Sequence, residues 1–177
     1  GHSSRPVADN AIYRLAAGLQ RLSTHSFATE ITPVTRTFFE RMAPIVGGDM
    51  GAAMSALARN PNDAAAAARV ARDPSFNAMM RTTCVATEVE AGHAPNALPQ
   101  RARATLSCRV MQSTAPETVR DTLIAVLDDP EINVEIVRRR APSAAPQLTR
   151  AIMAPLERVA ARFWPETPVV PLMIAGA

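Results

Sequence analysis

Lysine is absent from this chain of 177 residues, so all 19 basic side chains are arginine. They stand singly along the sequence apart from Arg138, Arg139 and Arg140, with 16 acidic residues interspersed. A nucleic-acid surface clusters its basic residues and often interleaves aromatics for stacking, yet aromatics make up only 4% of the chain. The net charge of +3 and the pI of about 9.6 therefore describe a mixed, solvated surface, and no nucleic acid is expected as partner. No apolar run approaches ~18 residues, so neither a transmembrane helix nor a membrane partner is expected. Two cysteines, Cys84 and Cys108, are too few for a disulfide framework or a structural zinc site. The three histidines have no acidic or histidine partner at ligand spacing, which leaves this stretch without a metal motif of its own.

What is present is one ordinary domain's worth of chain, 47% hydrophobic and 20% charged, in the range of folded proteins. Ile12, Leu15, Ala16, Leu19 and Leu22 recur at helical spacing, which predicts a helix over 9–25 with Asp9 or Asn10 as its cap. Phe38, Phe39, Met42 and Ile45 mark a second helix over 34–46, ended by Gly47-Gly48. Two short alanine-rich helices follow at 49–59 and 62–72, broken at Asn60-Pro61 and capped at Asn62-Asp63, and Pro74 opens a last turn through Met80. This block carries no reactive spacing and reads as an all-helical insertion.

The period then changes. Residues 83–90 are rich in β-branched side chains, and in 101–111 Ala102, Ala104, Leu106, Cys108 and Val110 alternate with Arg103, Thr105, Ser107 and Arg109. That is a half-buried hairpin joined by the turn-rich loop 92–100. In simple register Cys84 lies near Cys108, and the pair reads as two small buried thiols in preference to a disulfide. A helix over 115–128 follows, with Thr114 and Glu117 as a capping box. After it come an alternating strand at 132–140, a Pro/Ala/Ser linker at 141–146, a helix at 148–163 kinked by Pro155, and a buried strand at 169–174.

The class is α+β. The order fits a ferredoxin-like α/β sandwich, an antiparallel sheet with helices on one face, interrupted by the helical insertion and lacking its first strand. An open centre would leave two rows of unpaired backbone groups, so another segment or another chain is expected to supply that strand.

Two segments together carry a family resemblance. The first is Gly1-His2-Ser3-Ser4-Arg5-Pro6, followed by Asp9-Asn10-Ala11-Ile12 and a helix; the second is Ala91-Gly92-His93-Ala94-Pro95-Asn96-Ala97-Leu98-Pro99, followed by a strand ending in Arg109. In order and spacing they resemble the dimerisation (lid) domain of the M20 zinc metallopeptidases and amidohydrolases, particularly the carboxypeptidase-S-like members. The resemblance implies a lid domain over 1–146 with its insertion at about 31–81, and a return toward a catalytic domain over 147–177. It implies two zinc ions held by that catalytic domain and none by this chain, which has no His-x-Asp and no Glu-Glu pair. It also implies a homodimer, through an edge strand and the 9–25 helix, and a peptide or N-acyl amino acid as substrate.

By the same resemblance His2 corresponds to the family histidine that stabilises an oxyanion in the partner subunit's active site. Asn96 corresponds to the asparagine that hydrogen-bonds substrate, and Arg109 to the arginine that takes a free carboxylate. Ser107 stands where the family often has Asp. His93 replaces a loop threonine and reads as a solvated residue, and His25 as a histidine at a helix C-terminus. A different class of function fits the same topology: a stand-alone ferredoxin-like module that binds a small molecule and dimerises without catalysis.

Overall fold

The computed structural model describes residues 1–139 and 147–173. Among these residues seven helices and two strands follow in the order α1 (Ala11–Thr24), α2 (Pro33–Val46), α3 (Gly48–Arg59), α4 (Ala64–Val70), α5 (Pro74–Met80), β1 (Thr83–Ala91), β2 (Ala102–Arg109), α6 (Pro116–Leu127) and α7 (Arg150–Phe163). The protein is thus α+β, and it divides into two compact units. One holds residues 1–27, 83–110 and 114–139; the other holds 28–82, 111–113 and 147–173.

In the first unit β1 and β2 form an antiparallel hairpin with Cys84 opposite Cys108. One face of β2, made of Ala102, Ala104, Leu106 and Cys108, is half-buried, while Arg103, Thr105, Ser107 and Arg109 are exposed. Leu22 of α1 and Val119 and Leu123 of α6 are buried against Leu106, Cys84 and Cys108. Two amphipathic helices therefore cover one side of the hairpin, as the alternation requires. The ladder is interrupted once: Ala86 pairs with Leu106 and Glu88 with Thr105, so Thr87 is an extra residue in β1. Its hydroxyl donates to the Thr105 carbonyl at 3.3 Å.

Local chemistry fixes the helices of this unit. Asn10 caps α1 by accepting the Ile12 N–H at 2.9 Å. Gly18 lets α1 come close to its neighbours, since a Cβ there would sit 3.0 Å from Ile132 Cδ1 and 3.1 Å from Leu127 Cδ2. Arg21 donates from Nε to the Leu127 carbonyl at 2.9 Å, where α6 leaves carbonyls unpaired. Arg14 lies between Asp9 and Asp129, 2.8 Å from each. The Glu131 backbone N–H, joined by Arg14, holds the Asp129 carboxyl below the usual carboxylate range, and the two carboxylates raise Arg14 above the ordinary guanidinium value.

Three expectations change here. Cys84 and Cys108 are joined as a disulfide, not left as thiols; residues directly opposite on a sheet bring their Cβ atoms within bridging distance. Helix α6 starts at Pro116 with Ala115 as its unbonded cap. Thr114 therefore closes no capping box, and Glu117 instead pairs with Arg139. Residues 132–139 alternate in burial, with Ile132, Val134 and Ile136 half-buried, but join no ladder among the described residues. A strand needs a neighbour for its backbone groups, and no described strand pairs with this segment. The last residue of that expected strand and the 141–146 linker lie outside the described residues.

The second unit is a helical cluster around Phe39, Met54, Leu57, Val70 and Met80, all fully buried. Thr32 caps α2, Asp63 caps α4 and Asp73 caps α5, each accepting a first-turn N–H. Gly47, at φ +64, ends α2 in the left-handed region that glycine tolerates. Its N–H bonds to the Ala43 carbonyl at 3.0 Å. Helix α3 then crosses α2 so closely that a Cβ on Gly51 would lie 2.4 Å from that same carbonyl. Arg41 ties α7 to this unit through Glu157 at 2.8 Å. Residues 169–173, part of the strand expected at 169–174, join no ladder among the described residues, although Met173 is buried with Val34 and Met111; residues 174–177 lie outside the described set.

Candidate functional site

His2 and Asn96, 94 residues apart in sequence, come together in the first unit. Residues 1–3 run antiparallel to the loop that joins β1 to β2: Ser3 N–H donates to the Asn96 carbonyl at 2.9 Å, and Leu98 N–H donates to the Gly1 carbonyl at 3.0 Å. His2 sits opposite Ala97 in this short bridge. Gly1 is packed so tightly against Leu98 that a Cβ would lie 2.8 Å from its Cδ1. The loop itself turns at Gly92, φ +74.

The side chains meet as well. The Asn96 carboxamide lies 3.3 Å from His2 Nε2. On the other side of the ring, Nδ1 lies 2.8 Å from Ser4 Oγ and accepts the Ser4 backbone N–H at 3.1 Å. All three residues are solvent-exposed, so the cluster is an outward-facing set of polar groups at the loop end of the hairpin. An imidazole and a carboxamide at this spacing offer two hydrogen-bond donors to one anionic atom.

Arg109 lies elsewhere. It pairs with Thr83 at the far end of the ladder, and the seven residue steps from Ala102 correspond to about 24 Å of strand. It is exposed on the outward face, two residues from Ser107, and makes no ion pair among the described residues. A guanidinium left unpaired in this way suits a carboxylate, but it does not share a site with His2 and Asn96 within one protomer's hairpin. His93 is exposed in the same loop as Asn96. His25 is the C-cap of α1; its ring stands edge-on to Phe27 at 4.8 Å, and its buried Nε2 has no hydrogen-bond partner among the described residues. Ser4 is the member of the cluster that sequence reasoning missed. Its signal was its position two residues after a histidine, the reach at which a side chain can accept a backbone N–H.

The sequence profile of the peptidase dimerisation domain matches residues 1–135. The chain belongs to the M20 peptidase family, as a peptidase dimerisation domain. It is 26% identical over 148 residues to the N-fatty-acyl-amino acid synthase/hydrolase PM20D1 of Mus musculus. That match covers 80% of this chain and 28% of the mouse protein, so the chain spans little more than a quarter of that relative's length. No solved structure matches it significantly. Among the described residues no three His, Cys, Asp or Glu side chains come together as a metal site would require.

Proposed function

We propose that this chain is the lid and dimerisation domain of an M20 hydrolase that cleaves a peptide or N-acyl amino acid. Its role is to bring oxyanion and carboxylate contacts to an active site that other residues complete. The relative's name, a hydrolase of N-fatty-acyl amino acids, supports an amide bonded to an amino acid as the substrate class. The reading assigns the zinc ions to residues outside this chain. In it, His2 and Asn96 donate to the oxygen of the amide carbonyl as negative charge develops there, and Arg109 takes the amino acid's free carboxylate. The separation of Arg109 from His2 supports a shared arrangement, in which the two ends of the hairpin serve the two protomers of a homodimer. The exposed edge of β1 and the outer face of α1 are the surfaces this reading gives to the dimer.

The observation that carries the reading is the convergence of His2 and Asn96, two exposed polar side chains held by backbone bonds on both flanks. A preformed donor at an oxyanion is worth about 100- to 1000-fold in rate. In the hydrolase that contains this domain, His2→Ala should therefore lower kcat by that factor with KM changed little. Arg109→Met should raise KM for substrates with a free carboxylate and leave carboxamide analogues unaffected. A His2→Ala enzyme within about threefold of the parent would refute the assignment. The 177-residue chain by itself is expected to hydrolyse nothing; amidase activity from it with added zinc would overturn the reading.

A further inference from the structure

The hydrogen bonds around His2 leave the ring one proton position. Nδ1 accepts the Ser4 backbone N–H at 3.1 Å, and a backbone amide can only donate. Nδ1 is therefore unprotonated in the neutral ring, and the Ser4 hydroxyl at 2.8 Å, which can donate or accept, shares that lone pair as a second donor. The proton then sits on Nε2. With the Asn96 NH2 group turned toward Nε2, both ring nitrogens would be acceptors, and a neutral imidazole always carries one N–H. One contact has to adapt. The Ser4 amide is part of the main chain and cannot turn round, whereas the Asn96 carboxamide exchanges its oxygen and nitrogen by a half-turn. The 3.3 Å contact places Asn96 Nδ2 at Nε2; after the half-turn Oδ1 takes that place and accepts from Nε2–H.

We infer that Ser4 is a positioning residue: its backbone N–H holds His2 as the Nε2–H tautomer, so that the proton is presented on the outward nitrogen, beside Asn96. The functional meaning rests on the donor role proposed for His2. An oxyanion needs N–H and not a lone pair, and the opposite tautomer would offer it a lone pair from Nε2. Asn96 completes the device. While no substrate is present its oxygen satisfies Nε2–H. When an anion arrives, the same half-turn replaces that oxygen with NH2 and adds a second donor at the same place.

The tautomer is read without substrate, so the test separates this inference from the proposed reaction. Long-range proton–nitrogen correlation spectra of the 15N-labelled chain, recorded at about pH 8.5 where an ordinary imidazole is neutral, distinguish the two ring nitrogens. The chain has three histidines, and the His2 signals are those lost in His2→Gln. The expected spectrum shows Nε2–H as the dominant form of His2. Ser4→Ala, which keeps the backbone N–H, should leave Nε2–H dominant, whereas Ser4→Pro, which removes that donor, should raise the Nδ1–H fraction about fivefold, the effect of one neutral hydrogen bond. The rings of His25 and His93 should not change in either variant. A dominant Nδ1–H form in the parent would overturn the tautomer, and an unchanged ratio in Ser4→Pro would overturn the role of the Ser4 N–H. Loss of activity in His2→Ala has no bearing on either result.

Discussion

Replacing Gly51 by alanine sets two effects of known size against each other. Gly51 lies within α3, where alanine is favoured over glycine by about 1 kcal/mol in a helix interior. On propensity alone the substitution should stabilise. The added Cβ, however, would stand 2.4 Å from the Ala43 carbonyl oxygen, inside the 3.0 Å that real Cβ contacts respect. The obstacle is backbone, and it is held: the same carbonyl accepts the Gly47 N–H at 3.0 Å. The helices must separate or that bond must break, and overpacking of this kind costs about 1–3 kcal/mol. The clash is therefore expected to win, with a net loss of up to about 2 kcal/mol. Gly18→Ala is the matched control. There the new methyl meets only the ends of Ile132 and Leu127, at 3.0 and 3.1 Å, and flexible side-chain tips yield more readily than a carbonyl. Urea unfolding followed by far-ultraviolet circular dichroism measures both. A Gly51→Ala chain with a midpoint equal to or above the parent's would refute the reasoning, since it would mean that α2 and α3 do not approach as described.

Three further outcomes follow from other parts of the molecule. The Cys84–Cys108 disulfide closes a loop across a sequence separation of 24, which the chain-entropy relation converts to about 3.5 kcal/mol. Thiol titration of the unfolded, unreduced chain should find no free thiol, and Cys84→Ser/Cys108→Ser should unfold at correspondingly lower urea. Asp129 is held below the usual carboxylate range by the Glu131 N–H and Arg14. Its contribution is thus present above the ordinary value of 3.8 and is lost as pH falls below it. Asp129→Asn should flatten the stability profile in that acid window, and an unaltered profile would count against the clasp. Sedimentation should reveal a reversible species of about twice 18.9 kDa; a monomer at every concentration would count against the dimer.

The parts of the fold written in short-range chemistry were legible in the sequence. Asn10, Asp63 and Gly47 are punctuation that works within one turn of helix, and the alternation in β2 depends only on the period of a strand. The parts that failed depend on partners. Residues 132–139 have the pattern of a strand, yet a pattern cannot supply the neighbour that makes one. Glu117 was read as reaching back to Thr114, but an arginine 22 residues on holds it instead. The cysteine pair was placed in the right register and given the wrong oxidation state, because proximity alone does not distinguish thiols from a bond. His2 and Asn96 became candidates through family resemblance; nothing in their spacing predicts contact across 94 residues. Ser4 needed the ring's own hydrogen bonds to be noticed.

The extra residue in β1 changes the parity of everything between it and the turn. In an uninterrupted strand Cys84, Ala86, Glu88 and Glu90 would share one side, and two carboxylates would be directed at the helix-bearing face of the hairpin. With Thr87 left out of the pairing, Val89 stands opposite Ala104 and Ala91 opposite Ala102, while Glu88 falls opposite Thr105 and Glu90 opposite Arg103. The odd residue thus puts Val89 and Ala91, both exposed, on the side of Ala104 and Ala102, and sets a glutamate against an arginine on the opposite face. Deleting Thr87 alone would invert those four positions at once, whereas removing two residues would keep the faces in step and shorten the hairpin.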